Sequence, residues 1–408
     1  MIAEQVVGQC ERRWWPVGEV RPGLGGIRGV VVGESLAATI WGSLMAEYGA
    51  EIIKVEPPGG DPLRRLGPLV DGASLRWSSS ARGLRSVTCD PLVGDGAALL
   101  QQLLDTAAVI CDGAGPTDLA AAGLHLDARR SVVVRVPAMS EAPGLPGSLG
   151  DGLIGAAHGG LLHVTGHPDG PPTRLGGEVV DLLTAAYAAE ASVAGLLRRH
   201  RTGHGLELDA SHSGAVLRIL EWTIAAFDVK GTVRRREGNF PTAVAPIGLY
   251  AASDGGLVGI VGASDANFRR LTDAMQRAEL RTDERFASGA LRAEHSADIN
   301  KIVGEWVASL PSHEVVERCH DHGVIVAVVQ RISDVIVDPH LLARGDLIEL
   351  VDAAAGRVVQ PAPQPHSPHH TRDLQPAPGL GTSNDAIWIQ ELGLDPKEYQ
   401  RRRHAGVL

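Results

Sequence analysis

The chain has 408 residues, 44% of them apolar and 21% charged, with 38 basic against 48 acidic side chains and a net charge of −10. That balance belongs to a folded globular chain of about two to three domains and offers no phosphate-tracking surface, so nucleic acid is not an expected partner. No unbroken apolar run reaches the roughly 18 residues of a membrane span. The start Met-Ile-Ala-Glu-Gln lacks a basic stretch followed by an apolar core, and Cys10, Cys89, Cys111 and Cys319 fit neither a disulfide framework nor a zinc site. The expectation is a cytoplasmic protein with no membrane association.

In chain order, Trp14, Trp15 and Pro16 suggest an arm packed on the body. Ile27 to Val32, flanked by Gly26 and Gly33, reads as a buried parallel strand. Ser35 is placed to cap a helix carrying Leu36, Ile40, Leu44, Met45 and Tyr48 at helical spacing, and Gly49 ends it. Ala50 to Val55 is the next strand. Further βα units follow: strands at Arg85 to Cys89, Val109 to Cys111 and Val132 to Val136, with helices at Asp95 to Ala107 and Asp118 to Ala122. Such alternation implies a doubly wound parallel sheet. Beyond a Pro- and Gly-rich stretch near residue 138 come two long helices, Asp181 to Arg199 and Ala210 to Phe227, with a short strand at Leu206 to Leu208 between them. A smaller α+β domain is expected next, with a hairpin of Leu249 to Ala252 and Leu257 to Val261. A strand at Val324 to Val329 and a closing helix from Asp385 to Leu392 would return the chain to the large domain. The boundaries expected are 1–228, 229–322 and 323–408.

The motifs are few. Gly29-Val-Val-Val-Gly33 is not the Gly-x-Gly-x-x-Gly of a dinucleotide site, and neither a P-loop nor a Gly-x-Ser-x-Gly elbow occurs. His366, His369 and His370 stand in a Pro-rich segment without carboxylate or cysteine at ligand spacing, which reads as a loop and not a metal site. Lys54 and Glu56 leave the second strand at its carboxyl end, where ligands of open α/β sheets bind; on chemistry alone they read first as an ordinary solvated ion pair beside a Pro-Gly turn. Asp181 opens the alanine-rich helix. Alone, it reads first as an N-terminal cap and second as an ionised nucleophile.

Taken together and in order, these segments resemble the class III CoA-transferases, the group that includes formyl-CoA transferase, carnitine CoA-transferases and α-methylacyl-CoA racemases. The stretches that carry the resemblance are Gly49-Ala-Glu-Ile-Ile-Lys-Val-Glu-Pro-Pro-Gly-Gly-Asp61, Arg85-Ser-Val-Thr-Cys-Asp90, Gly166-His-Pro-Asp-Gly-Pro-Pro-Thr173 and His200-Arg-Thr-Gly-His-Gly205. Gly238-Asn239, Ala245-Pro246-Ile-Gly-Leu-Tyr250, Arg285-Phe286 and Asp338-Pro339-His340-Leu-Leu-Ala-Arg344 complete it, so that it covers about residues 26 to 408.

The resemblance implies a Rossmann-like large domain from both chain ends, a smaller domain between, and two subunits interlocked like links. It implies transfer of CoA between an acyl-CoA and a carboxylic acid, with CoA as substrate and no permanently bound cofactor. The family's catalytic aspartate stands eight residues after the Pro-Pro-Thr threonine, and Asp181 holds that place after Thr173. CoA contacts would involve Lys54, Glu56, Arg85, Gly113 and Ala114. Gly113 and Ala114 stand where the family carries Asn and Phe, Gly83-Leu84 replaces its Asn-Lys, and Ala37-Ala38-Thr39 its Ala-Gly-Pro. Near Gly238-Asn239-Phe240 the glycine-rich loop that shields the intermediate in formyl-CoA transferase is not recognisable. A pocket so stripped predicts weak binding of free CoA. It also leaves a second reading, a subunit that supports a homologous catalytic partner. A racemase would need two bases flanking a carbon; Gly147-Ser148-Leu149-Gly150 offers none, and His158 stands in another context.

Overall fold

The computed structural model describes residues 23–142, 147, 150–365 and 374–408; the Trp14–Trp15–Pro16 arm, Ser148, Leu149 and the three clustered histidines lie outside the described residues. The chain divides into two units. One comprises the chain up to Leu161, Leu175–Ala225 and Pro339–Leu408, and the other Leu162–Arg174 with Ala226–Asp338.

The first unit is built on six parallel strands: β1 (Arg28–Val32), β2 (Glu51–Glu56), β3 (Arg85–Thr88), β4 (Val109–Asp112), β5 (Val132–Arg135) and β6 (Leu206–Asp209). Their order is β3-β2-β1-β4-β5-β6, so the chain steps outward from β1 to β3, then returns to β4 on the other side of β1. The inner strands are runs of Val and Ile with almost no exposure, as strands covered on both faces must be. Helix α1 (Leu36–Glu47) starts where Ser35 Oγ accepts the Ala38 N–H. It lies against the long helix α6 (Val179–Thr202), and Trp41 Nε1 donates to Ser192 Oγ at 3.0 Å across that buried contact. Between them in sequence come α2 (Leu75–Ser80), α3 (Gly96–Leu104), α4 (Pro116–Ala121) and α5 (Gly152–His158).

Three sequence expectations need correction here. By length and composition α6 is apolar enough to cross a membrane, with a mean hydropathy of 1.4 over its best window. It is also a core helix, burying Ala185, Ala188 and Leu196 against the sheet and α1. The expected single helix from Ala210 to Phe227 is two, α7 (His212–Ile219) and α8 (Glu221–Lys230), parted at Leu220, whose N–H bonds both Val216 O and Leu217 O. Finally, the strand near residue 325 does not rejoin the large sheet. Ile325–Val328 pairs antiparallel with Leu257–Val261, which in turn pairs with Ile247–Ala251, so the small unit keeps it as a third strand. The return therefore falls at Pro339 and not at 323. The small unit has its own core, with Phe268, Leu271, Phe286, Ile299 and Val303 packed beneath that sheet.

Candidate active site

At the carboxyl ends of β1 and β4, the point where strand order reverses, the turns after the two strands lie against each other. Gly33 has φ +84°, and a Cβ placed on it would stand 2.2 Å from Ala114 N; one on Gly113 would stand 2.6 Å from Ser35 Cβ. Side chains at Gly33 and Gly113 are excluded by this approach, and Ala114 supplies only a methyl. The loop is pinned from below: Asp112 Oδ1 accepts the N–H groups of Ala114 and Gly115 at 3.0 and 2.9 Å, while Oδ2 pairs with Arg135 at 2.5 Å. Gly113 and Ala114 thus lie at the edge where ligands of such sheets bind.

The other expected CoA contacts are internal. Lys54 is fully buried, its Nζ donating to Gly33 O and paired with Asp61 at 2.9 Å. Glu56 is equally buried and its carboxylate is saturated. It holds Arg64 in a fork at 2.6 and 2.7 Å and also accepts the Asp61 N–H and the Ser86 hydroxyl. Arg64 stacks on Trp77 at 3.9 Å from the ring centroid, and both donate to Pro378 O. Neither Lys54 nor Glu56 has a charge left for a ligand. Arg85 stands at the opposite edge, at the start of β3. There, with Arg28, it grips Glu51 and Glu391. Burial pushes the Glu51 carboxyl up, but the two guanidinium groups outweigh it and hold it below its ordinary range. Arg85 is therefore not brought together with the carboxyl-edge residues.

Asp181 is not the cap of its helix. The cap position is Glu178, whose side chain makes no capping bond, and Asp181 is the third residue of α6. Its carboxylate turns toward α5. Asp151 caps that helix by accepting the Leu153 and Ile154 N–H groups, which leaves the Gly152 N–H, and this donates to Asp181 Oδ1 at 3.2 Å. His212 Nε2 lies 3.1 Å from the same oxygen. Oδ2 accepts no hydrogen bond among the described residues, and the side chain keeps 9% of its exposure. Gly152 is required here: a Cβ on it would stand 2.4 Å from Oδ2.

Two adjacent parallel strands deliver His212. The pairing of β5 with β6 runs on past both strands, with Ala210 N–H on Arg135 O and His212 N–H on Pro137 O. The imidazole then places Nδ1 2.9 Å from that same Pro137 carbonyl, and the ring is fully buried. Room for it comes from Gly155, where a Cβ would stand 2.2 Å from His212 Cβ. Sequence reading passed over His212 because it fell inside an expected helix. The available signal was a histidine directly after the Ser211 cap and just beyond the carboxyl end of a strand.

What this arrangement offers is a buried carboxylate with one oxygen held by two donors and the other unengaged, at the start of a helix whose dipole favours negative charge. The described cysteines do not compete as nucleophiles. Burial pushes Cys89 up to about 12 and Cys319 to about 11, and raises Cys111 well above its ordinary value. Among the described residues no cluster of three or more His, Cys, Asp or Glu side chains could hold a metal ion.

The sequence profile of CoA-transferase family III matches residues 24–384. Succinyl-CoA–D-citramalate CoA-transferase of Chloroflexus aurantiacus is 32% identical over 376 residues, which is 90% of this chain and 94% of that one. The β subunit of succinyl-CoA–L-malate CoA-transferase from the same organism is 31% identical, covering 94% of this chain and 98% of its own. A crystal structure of a CAIB/BAIF family protein from Brucella suis superimposes with a TM-score of 0.79 at 25% identity, over 91% of this chain and 100% of that one.

Proposed function

The chain belongs to CoA-transferase family III and is an enzyme that moves CoA between an acyl-CoA and a carboxylic acid; on that premise we propose that Asp181 is its nucleophile. The observation that carries this reading is the unengaged Oδ2 of a carboxylate whose other oxygen is tied at 3.1 and 3.2 Å. Oδ2 attacks the thioester carbonyl and expels CoA thiolate, leaving an acyl-aspartyl anhydride. The thiolate attacks the aspartyl carbonyl, releases the donor acid and leaves an aspartyl-CoA thioester. An acceptor carboxylate then runs the sequence in reverse. Each exchange is between groups of similar energy, so the cycle needs no ATP. His212 Nε2 and Asp181 Oδ1 are bonded to each other. The two-base geometry of a racemase is therefore not served by this pair.

The donors and acceptors named in the relatives direct the substrate proposal to succinyl-CoA and a small dicarboxylate. With Gly113 and Ala114 at the switch point, CoA would meet backbone there instead of side chains, consistent with weak binding of the free coenzyme. An intimate dimer, homomeric or with a homologous subunit, is proposed from the apolar surface of two helices. No residue of α8 is buried, Trp222 and Phe227 being 59% and 58% exposed, and α6 exposes Leu182, Val193 and Leu197. Intact-protein mass spectrometry after incubation with succinyl-CoA tests the chemistry. A CoA adduct that maps to Asp181 and is missing from Asp181→Asn is expected; an adduct on the Asn variant sinks the assignment.

A further inference from the structure

We propose that His212 Nε2 and the Gly152 N–H form an oxyanion site for the carbonyl of Asp181 itself, serving the steps in which the aspartyl carbon, not the substrate carbon, becomes tetrahedral. The inference rests on Asp181 being the nucleophile.

The argument begins with protons. His212 Nδ1 faces the Pro137 carbonyl at 2.9 Å, an oxygen that can only accept, so Nδ1 carries hydrogen. Nε2 faces a carboxylate oxygen at 3.1 Å. A lone pair there would oppose another lone pair, so a proton lies on that contact as well, and on this proposal it sits on Nε2, which then donates to Oδ1. The base of the ring is held in place, because Pro137 O also receives the His212 backbone N–H at 3.0 Å and Gly155 closes against Cβ.

Acylation at Oδ2 removes the negative charge from the carboxylate but leaves Oδ1 in place as a carbonyl oxygen. Both donors now point at it. When CoA thiolate attacks, the new sulfur–carbon bond pushes the carbonyl electron pair onto Oδ1, between the Gly152 N–H and the Nε2–H of His212. The pair then returns, the bond from the aspartyl carbon to Oδ2 breaks, and the donor acid leaves as its carboxylate. Discharge of the thioester to the acceptor passes through the same tetrahedral carbon, with thiolate as the leaving group. His212 keeps its proton throughout, so the cycle balances without general acid–base transfer. The first attack, on the substrate carbonyl, builds charge on a substrate oxygen and does not use this site.

The test follows the covalent aspartyl-CoA thioester by intact mass, using succinyl-CoA to form it and L-malate or glutarate to discharge it. It compares the wild type with His212→Leu and His212→Gln, each first shown to be folded by circular dichroism. Loss of one oxyanion donor typically costs about 100- to 1,000-fold. We expect His212→Leu to slow both formation and discharge of the thioester by that order, and His212→Gln, whose amide can still donate, to recover part of it. Discharge from the Leu variant at the wild-type rate, or a Gln variant no faster than Leu, overturns the oxyanion role while leaving the nucleophile intact. A wild-type enzyme that forms no adduct removes Asp181 as nucleophile and this inference with it.

Discussion

Two places in the large unit bury charged side chains, and they are built on opposite terms. Under β2 and β3, Lys54, Glu56, Asp61 and Arg64 are closed on one another, with Ser86, Trp77 and the Pro378 carbonyl taking up what remains. At the start of α6, Asp181 has, among the described residues, both partners on one oxygen and none on the other. Buried charge that is fully satisfied acts as framework, because any rearrangement strands an ion away from water. Buried charge left half-satisfied is held ready for a partner that the protein does not itself supply.

That contrast can be broken in four ways. The largest effect belongs to Asp181→Asn, which keeps the shape and an oxygen to accept from Gly152. CoA exchange should fall at least about 10,000-fold, roughly 5.5 kcal/mol of barrier, with the thermal transition little changed. Lys54→Met should do the reverse. It leaves Asp61 buried without a cation, a loss of about 3–5 kcal/mol in denaturant titrations, while turnover per folded molecule holds. A stable Lys54 variant with impaired CoA affinity would return that lysine to the ligand site. Gly152→Ala drives a methyl into Oδ2 and should cost about 100-fold in rate by misplacing the reacting oxygen, with fluorescence and melting showing an intact fold. Arg85→Ala should change stability by only about 0–1 kcal/mol and leave kinetics untouched, since its partners are partly exposed. Glu51, held low by Arg28 and Arg85, contributes stability present above its ordinary value of 4.5 and lost as pH falls through its lowered one. The Arg85 variant should flatten that acid limb in equilibrium unfolding.

The strands of the large sheet were legible because β-branched runs between glycines have few alternatives, and only their ends moved by a residue. Asp181 stood out through its distance from Thr173, but its surroundings did not. Periodicity shows that a residue opens a helix; it does not show that the carboxylate turns to a second helix whose own cap leaves one N–H over. That Lys54 and Glu56 are closed on other side chains escaped the sequence for a related reason. The end of a strand is where ligands sit, yet a turn such as Pro57-Pro58-Gly59-Gly60 can fold Asp61 and Arg64 back over it. Ile325–Val328 was assigned to the wrong sheet because a short apolar strand carries no record of its neighbour, and antiparallel pairing with Leu257–Val261 arises only from tertiary contact. His212 did not stand out because its surroundings come from Pro137 and Asp181, which lie 75 and 31 residues away along the chain.

The strand β6, which leads through Ala210 and Ser211 into the helix that His212 opens, is the last in the order of the sheet, bonded among the described residues to β5. An edge strand is the element most exposed to fraying, and β6 is only half-covered along its length. On the roles proposed for Asp181 and His212, their contact is fastened to an edge of the sheet. Sub-global opening that lifts β6 would withdraw the imidazole from Asp181 while the inner strands stayed folded. In such a protein, activity reports on the margin of the fold sooner than on its centre.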